Sequence, residues 1–205
     1  TMDRFLRLSE SDRLLTFQKT SESKSLSENI IEKDFWVCWI LKELFELPEI
    51  GEHLTFKGGT SLSKVFNVIH RFSEDIDIPI ERSYLGFEGD LDPSNASSMK
   101  KAKKQIQELG SACTYFTKNE LSTKLQKSIT EEINNNDWSL LIDPDDKDEQ
   151  TLLFYYPSFL RTQSKYVKPM VKIEMGARSD HWPVSMEYIF PCLVDVMPRQ
   201  NKNMS

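Results

Sequence analysis

Asp75-Ile76-Asp77-Ile78-Pro79-Ile80 alternates acidic with apolar residues, and this period of two constrains the fold more than any other stretch. Successive side chains of a strand point to opposite faces, so this strand has one apolar face and one carboxylate face. Its apolar face must be covered by other elements, which calls for a sheet packed against helices. Asp75 and Asp77 share a face, with Cα atoms ~6.5–7 Å apart.

The covering helix is legible upstream. Ile30, Ile31, Asp34, Phe35, Val37, Cys38, Leu41, Leu44 and Phe45 recur at three- and four-residue steps, a wide apolar helical face. Phe35, Trp36 and Trp39 add more aromatic area than a surface helix needs, so the expectation is a core helix with Cys38 as inert packing. Ser25 and Glu28 have capping-box spacing, and Pro48 ends the helical region. Ser9 to Ser25 reads as a short polar helix running into a loop.

His53-Leu54-Thr55-Phe56-Lys57 is a short strand candidate that runs into Gly58-Gly59. Thr60 and Ser61 can cap a following helix, because Leu62, Val65, Phe66 and Ile69 hold helical spacing. Residues 81–97 read as a loop. Residues 98–135 read as two helices with a break near Lys118-Asn119, and Lys100, Lys101, Lys103 and Lys104 as a solvated face. Trp138–Ile142 and Thr151–Tyr156 flank an Asp-rich turn, which predicts a hairpin. Met170–Met175 is a further strand, and Tyr188–Val196 a last one. The expected fold is α+β: a small twisted mixed sheet with helices packed mainly on one face. The 205 residues are expected to form a single domain, with N-terminal helices over 9–50, a motif core over 53–80, a helical insertion over 98–135 and the remaining strands over 138–196.

Composition narrows the function classes. A net charge of −6, from 26 Lys and Arg against 32 Asp and Glu, argues against a nucleic-acid coat but permits an enzyme that touches a polynucleotide through one local patch. No run of ~18 apolar residues exists to span a membrane, and the polar opening does not look like a secretory leader. Cys38, Cys113 and Cys192 are widely spaced and contain no C-x-x-C. A disulfide scaffold and a zinc ribbon are therefore not expected, and a cytoplasmic location is.

The chemistry concentrates between residues 58 and 77. Two glycines between a strand and a helix let the backbone approach a ligand, and their amides form a nest for anions such as phosphate. The hydroxyls of Thr60 and Ser61 can add hydrogen bonds to phosphate oxygens. Paired carboxylates two apart on a strand can share divalent ions, as two-metal phosphoryl transfer requires. Hard oxygen donors without His or Cys point to Mg²⁺ or Mn²⁺ rather than zinc. The P-loop pattern is absent.

F-K-G-G-T-S-L-S-K-V-F (Phe56 to Phe66) followed by R-F-S-E-D-I-D-I (Arg71 to Ile78) resembles the defining motif of the AbiEii/AbiGii toxin nucleotidyltransferases, within the DNA polymerase beta-like superfamily. I-E-K-D-F-W (Ile31 to Trp36) and, more loosely, V-K-I-E-M-G-A-R (Val171 to Arg178) resemble the same family. The resemblance implies transfer of a nucleoside monophosphate from an NTP to an acceptor such as a tRNA or other RNA end, or a protein. It also implies a toxin role opposite a cognate antitoxin, or in phage defence.

Residue by residue, the resemblance makes Asp75 and Asp77 the metal-binding pair. It makes Gly58, Gly59 and Thr60 the triphosphate turn, to which the Ser61 hydroxyl adds, with Arg71 and Ser73, the R-x-S before the acids, as further nucleotide-binding residues. It implies a third carboxylate on a neighbouring strand. Glu174, acidic between Ile173 and Met175, is the best match, and Asp195 is the alternative. Lys172, two residues before Glu174, shares its face and can neutralise phosphate; a cross-strand ion pair is the other reading. Relatives continue into a helical C-terminal half that carries a Lys used on the nucleotide, whereas this sequence stops at Ser205. Two alternatives therefore stand beside the transferase: a non-catalytic module that binds nucleotide or a partner, and an NTP-dependent phosphotransferase.

Overall fold

The computed structural model of the chain describes residues 2–57, 75–133, 136–160, 168–177 and 188–196. Three helices open it: α1 (Met2–Leu6), α2 (Glu10–Lys24) and α3 (Glu28–Phe45). From Ile31 to Leu41 every residue of α3 is buried, as befits a helix that is apolar around most of its circumference. Phe5 of α1 packs on Phe17 and Phe35 at ring-centroid distances of 5.3 and 4.7 Å. The short, polar reading of α2 gives way to fifteen residues that bury Thr16, Phe17 and Thr20.

Capping differs from the sequence expectation. Ser25 is the left-handed C-cap of α2 (φ 54°), and Ser27 stands at the N-cap of α3 without a side-chain cap bond. Ser25 is thus spent on ending one helix rather than starting the next.

Four strands form one mixed sheet in the order β1-β4-β3-β2: β1 (Asp75–Pro79), β2 (Ser139–Ile142), β3 (Thr151–Tyr155) and β4 (Met170–Gly176). β1 runs parallel to β4, and the β2–β3 hairpin joins β4 antiparallel. Ile76, Ile78, Leu152, Phe154, Val171 and Ile173 on one face are fully buried. Phe154 lies against Trp39 and Trp36 of α3 at 5.8 and 6.0 Å, so the core helix covers that apolar face.

Segment 53–57 pairs with β1 but forms no full strand. A 3-10 turn at Gly51–His53 leads into two isolated antiparallel bridges, Leu54 to Ile80 and Lys57 to Asp77. Gly51 is needed at the turn, because a Cβ there would stand 2.1 Å from the Phe45 carbonyl oxygen. The helix expected over Leu62–Ile69 lies outside the described residues.

The helical insertion has no break. Helix α4 (Met99–Tyr115) continues through a π-helical stretch, Phe116–Leu121, into α5 (Ser122–Glu132). Polar side chains bond back to carbonyls four residues earlier, Thr117 to Cys113 at 2.9 Å and Ser122 to Lys118 at 2.6 Å. This back-bonding accompanies the widened turn where the sequence suggested an interruption. Tyr188–Val196 is not a strand either; residues 188–190 have no regular structure, Pro191 is extended, and Cys192–Asp195 folds into a 3-10 turn. Pro191 precedes that turn and has no N–H to give a sheet ladder. No helix among the described residues is long and apolar enough to cross a membrane.

Candidate active site

The seam between β1 and β4 gathers the charged candidates. Its parallel register sets Asp75 beside Lys172 and Asp77 beside Glu174, so two strands contribute three carboxylates and one ammonium to a single face. That face is half-buried while the opposite one is closed by the core. Thr151 of β3 is in register with Glu174 on its other side. The Lys172 ammonium lies 3.0 Å from Glu174 Oε1 and 3.8 Å from Asp143 Oδ2.

The electrostatics of this face are those of crowded acids. Burial pushes the Asp77 carboxyl above its ordinary value, and the neighbouring charge and hydrogen bond of Glu174, then the charge of Asp75, push it the same way. Lys172 is held above the ordinary lysine value by its bond to Glu174, with further help from the charges of Glu174, Asp75 and Asp143.

Lys57 donates its backbone N–H to the Asp77 carbonyl at 2.9 Å, so the described segment 53–57 ends beside the second acid. Gly58, Gly59, Thr60, Ser61, Arg71 and Ser73 themselves lie outside the described residues. Asp195, the alternative third carboxylate, sits elsewhere. It occupies the Cys192–Asp195 turn, well exposed, and pairs with Lys24 of α2 at 2.9 Å.

Asp143 was not singled out by sequence. It closes β2, is 8% exposed, and donates its N–H to the Thr151 carbonyl at 2.9 Å. Its neighbour Asp146 accepts from Thr151 Oγ1 at 2.7 Å and from the Gln150 N–H at 2.9 Å. A run of Asp around Pro144 looks like a solvated turn, and only its fold onto β4 turns Asp143 towards Lys172.

The acids of I-E-K-D-F-W have a different job. Glu32 accepts the Phe159 N–H at 2.6 Å and the Ser158 hydroxyl at 2.8 Å, and Asp34 accepts the Cys192 N–H at 2.7 Å. They pin two loops onto α3, away from the β1–β4 carboxylates.

A family model described as nucleotidyl transferase AbiEii toxin, type IV TA system, matches residues 39–200. The chain belongs to the AbiEii family. The matched region contains Asp75, Asp77, Lys172 and Glu174 and begins downstream of I-E-K-D-F-W. No curated protein and no solved structure matches the chain. Membership carries nucleotidyltransferase activity and a toxin role at the level of the family.

Among the described residues, no three His, Cys, Asp or Glu side chains stand assembled as a ready cation cage; Glu174 lies between the Lys172 ammonium, at 3.0 Å, and the Asp77 carboxyl. The donor chemistry nevertheless fits a divalent cation. Asp75, Asp77 and Glu174 are hard oxygen donors on one accessible face, and a cation there would offset the burial and the neighbouring charges that together raise Asp77.

Proposed function

We propose that this AbiEii-family chain moves a nucleoside monophosphate from an NTP to an acceptor hydroxyl, on an RNA end such as that of a tRNA or on a protein. The observation that carries the reading is the register of Asp77 with Glu174, beside Asp75, on the open face of the β1–β4 seam. Mg²⁺ or Mn²⁺ held by these three carboxylates would neutralise triphosphate charge and lower the pKa of the acceptor hydroxyl.

The chain's own residues supply the positioning. Amides and hydroxyls of Gly58, Gly59, Thr60 and Ser61 cradle the phosphates, with Arg71 and Ser73 adding donors. Lys172 offers an ammonium to the phosphate charge. The acceptor hydroxyl gives its proton to water, its oxygen attacks the α-phosphorus in line, and as the new bond forms the bond from the α-phosphorus to the bridging oxygen breaks, so that pyrophosphate leaves with that oxygen. Most of the rate comes from orientation and fixed charge. A toxin of this kind acts opposite a cognate antitoxin, in a toxin–antitoxin or phage-defence pair.

Incubation of the chain with total RNA or protein and NTP labelled at either the α or the γ phosphate tests the reading. It predicts α-label in the acceptor and release of pyrophosphate. Transfer of γ-label with release of nucleoside diphosphate would make the protein a phosphotransferase, and NTP binding without any transfer would make it a binding module.

A further inference from the structure

Lys172 sits between two anchors of unequal reach. Glu174 holds its ammonium at hydrogen-bond distance, 3.0 Å, whereas Asp143 faces it at 3.8 Å. That second anchor is rigidly built. Asp143 Oδ1 accepts the Asp145 N–H at 3.0 Å, leaving Oδ2 as the atom that faces Lys172. The turn beyond it is tied down by Asp146 and by three contacts to the long helix. Gln150 Nε2 donates to the Gly110 carbonyl at 3.0 Å, Thr114 Oγ1 to the Asp148 carbonyl at 2.7 Å, and Lys118 pairs with Glu149 at 2.8 Å. A buried carboxylate fixed this firmly near an ammonium it does not fully engage is a landing point for that ammonium.

We infer that Lys172 is the resident counter-cation of Glu174 in the nucleotide-free protein, and that Asp143 is the positioning residue that receives Lys172 when Glu174 turns to a divalent cation. The exchange conserves charge at the seam. Glu174 is never left unpaired among Asp75 and Asp77, and the displaced ammonium stays at the site, where it can meet phosphate, instead of swinging into solvent. The inference rests on the proposed cation-binding role of Asp75, Asp77 and Glu174, and it adds that the chain carries its own competitor for that cation.

The test is Mn²⁺ titration of the full chain without nucleotide, by calorimetry and by electron paramagnetic resonance of the free ion. Lys172→Met is expected to bind Mn²⁺ about five- to tenfold more tightly than wild type, because one positive charge within a few ångströms is gone. Lys172→Arg keeps the competitor and is expected to stay within about twofold of wild type. Asp143→Asn is expected to weaken Mn²⁺ binding about threefold when Lys172 is present and to change nothing in the Lys172→Met background, the coupling a double-mutant cycle isolates. Thermal melts of each variant with and without Mn²⁺ give a second readout, in which the ion stabilises Lys172→Met more than wild type. Equal Mn²⁺ affinity in wild type and Lys172→Met, or an Asp143→Asn loss that persists without Lys172, overturns the inference. Asp77→Asn separates the two levels. If it abolishes Mn²⁺ binding while Lys172→Met changes nothing, only this inference falls; if it leaves Mn²⁺ binding intact, the cation-binding reading falls and the inference with it.

Discussion

Two groups of carboxylates lie within this fold, and their neighbours differ in kind. Glu32 on α3 and Asp77 on β1 are both raised above their ordinary values, with burial the first cause in each case. Around Glu32 every other contribution pulls back down: the backbone N–H of Phe159, the Ser158 hydroxyl and the backbone N–H of Leu160 all favour its charged form. Around Asp77 every other contribution pushes further up, because its neighbours are Glu174 and Asp75. The first arrangement is satisfied within the chain and holds loops in place. The second crowds like charges around a half-buried acid, with the Lys172 ammonium bonded to Glu174 beside it, and such crowding is the signature of a binding or catalytic acid.

The comparison is broken most directly through activity. Asp77→Asn is expected to lower nucleotide transfer at least ~100-fold, the cost of removing one group that stabilises developing charge, while the far-ultraviolet circular dichroism stays that of the wild type. An active Asp77→Asn protein would put the acids of β1 in the same structural class as those of α3.

Next in size is a stability effect. Asp34→Ala leaves the Cys192 N–H without its carboxylate acceptor, and bonds to a charged partner are worth about 2 kcal/mol. Urea unfolding should show a loss of that order, with transfer per folded molecule unchanged. A loss under ~0.5 kcal/mol would show that the loop at 191–193 is held by its packing alone.

A smaller effect has the opposite sign. Because the folded value of Asp77 lies above the ordinary 3.8, its ionisation costs stability that is absent below that value and accumulates as pH rises through the folded one. Asp77→Asn should therefore melt higher than wild type at pH 7, by ~1–3 °C in a chain of this size. The gap should close as pH is lowered towards 4. A variant that melts lower at pH 7 would show that Asp77 is a stabilising acid like those on α3.

The smallest expected effect lies at the exposed pair of Lys24 and Asp195. Lys24→Ala should cost no more than ~0.5 kcal/mol, in the ordinary range of surface ion pairs, and should leave transfer unchanged. Loss of transfer would bring Asp195 back as a candidate for the site.

What the sequence made legible follows from local periodicity. The alternation at 75–80 and the apolar flanks of Glu174 identify acids on strand faces, and the steps of three and four from Ile30 identify the helix that covers the sheet. Register is not local. Nothing in the chain between Pro79 and Met170 states that Asp77 will lie beside Glu174; that depends on a parallel pairing closed through the long helix and a hairpin. Asp143 was hidden for the same reason, since its role depends on a strand remote in sequence. Glu32 and Asp34 stand inside an apolar helical pattern, and their partners come from loops more than a hundred residues downstream. Tyr188–Val196 differs from the strand expectation because apolar content alone does not separate a strand from a turn that buries one residue, Leu193, and Pro191 is the signal against a strand.

The central claim is that acids of the two groups do separable work, and one crossed measurement tests it: melting temperature and α-label transfer per folded molecule, for Glu174→Ala and Glu32→Ala side by side. The account predicts that Glu174→Ala loses transfer at least ~100-fold and keeps its melting temperature within ~2 °C. It predicts that Glu32→Ala, which leaves the Phe159 N–H and the Ser158 hydroxyl without their acceptor, loses ~5 °C or more and keeps its transfer. Both variants losing both properties in parallel, or Glu174→Ala transferring label at the wild-type rate, would contradict it.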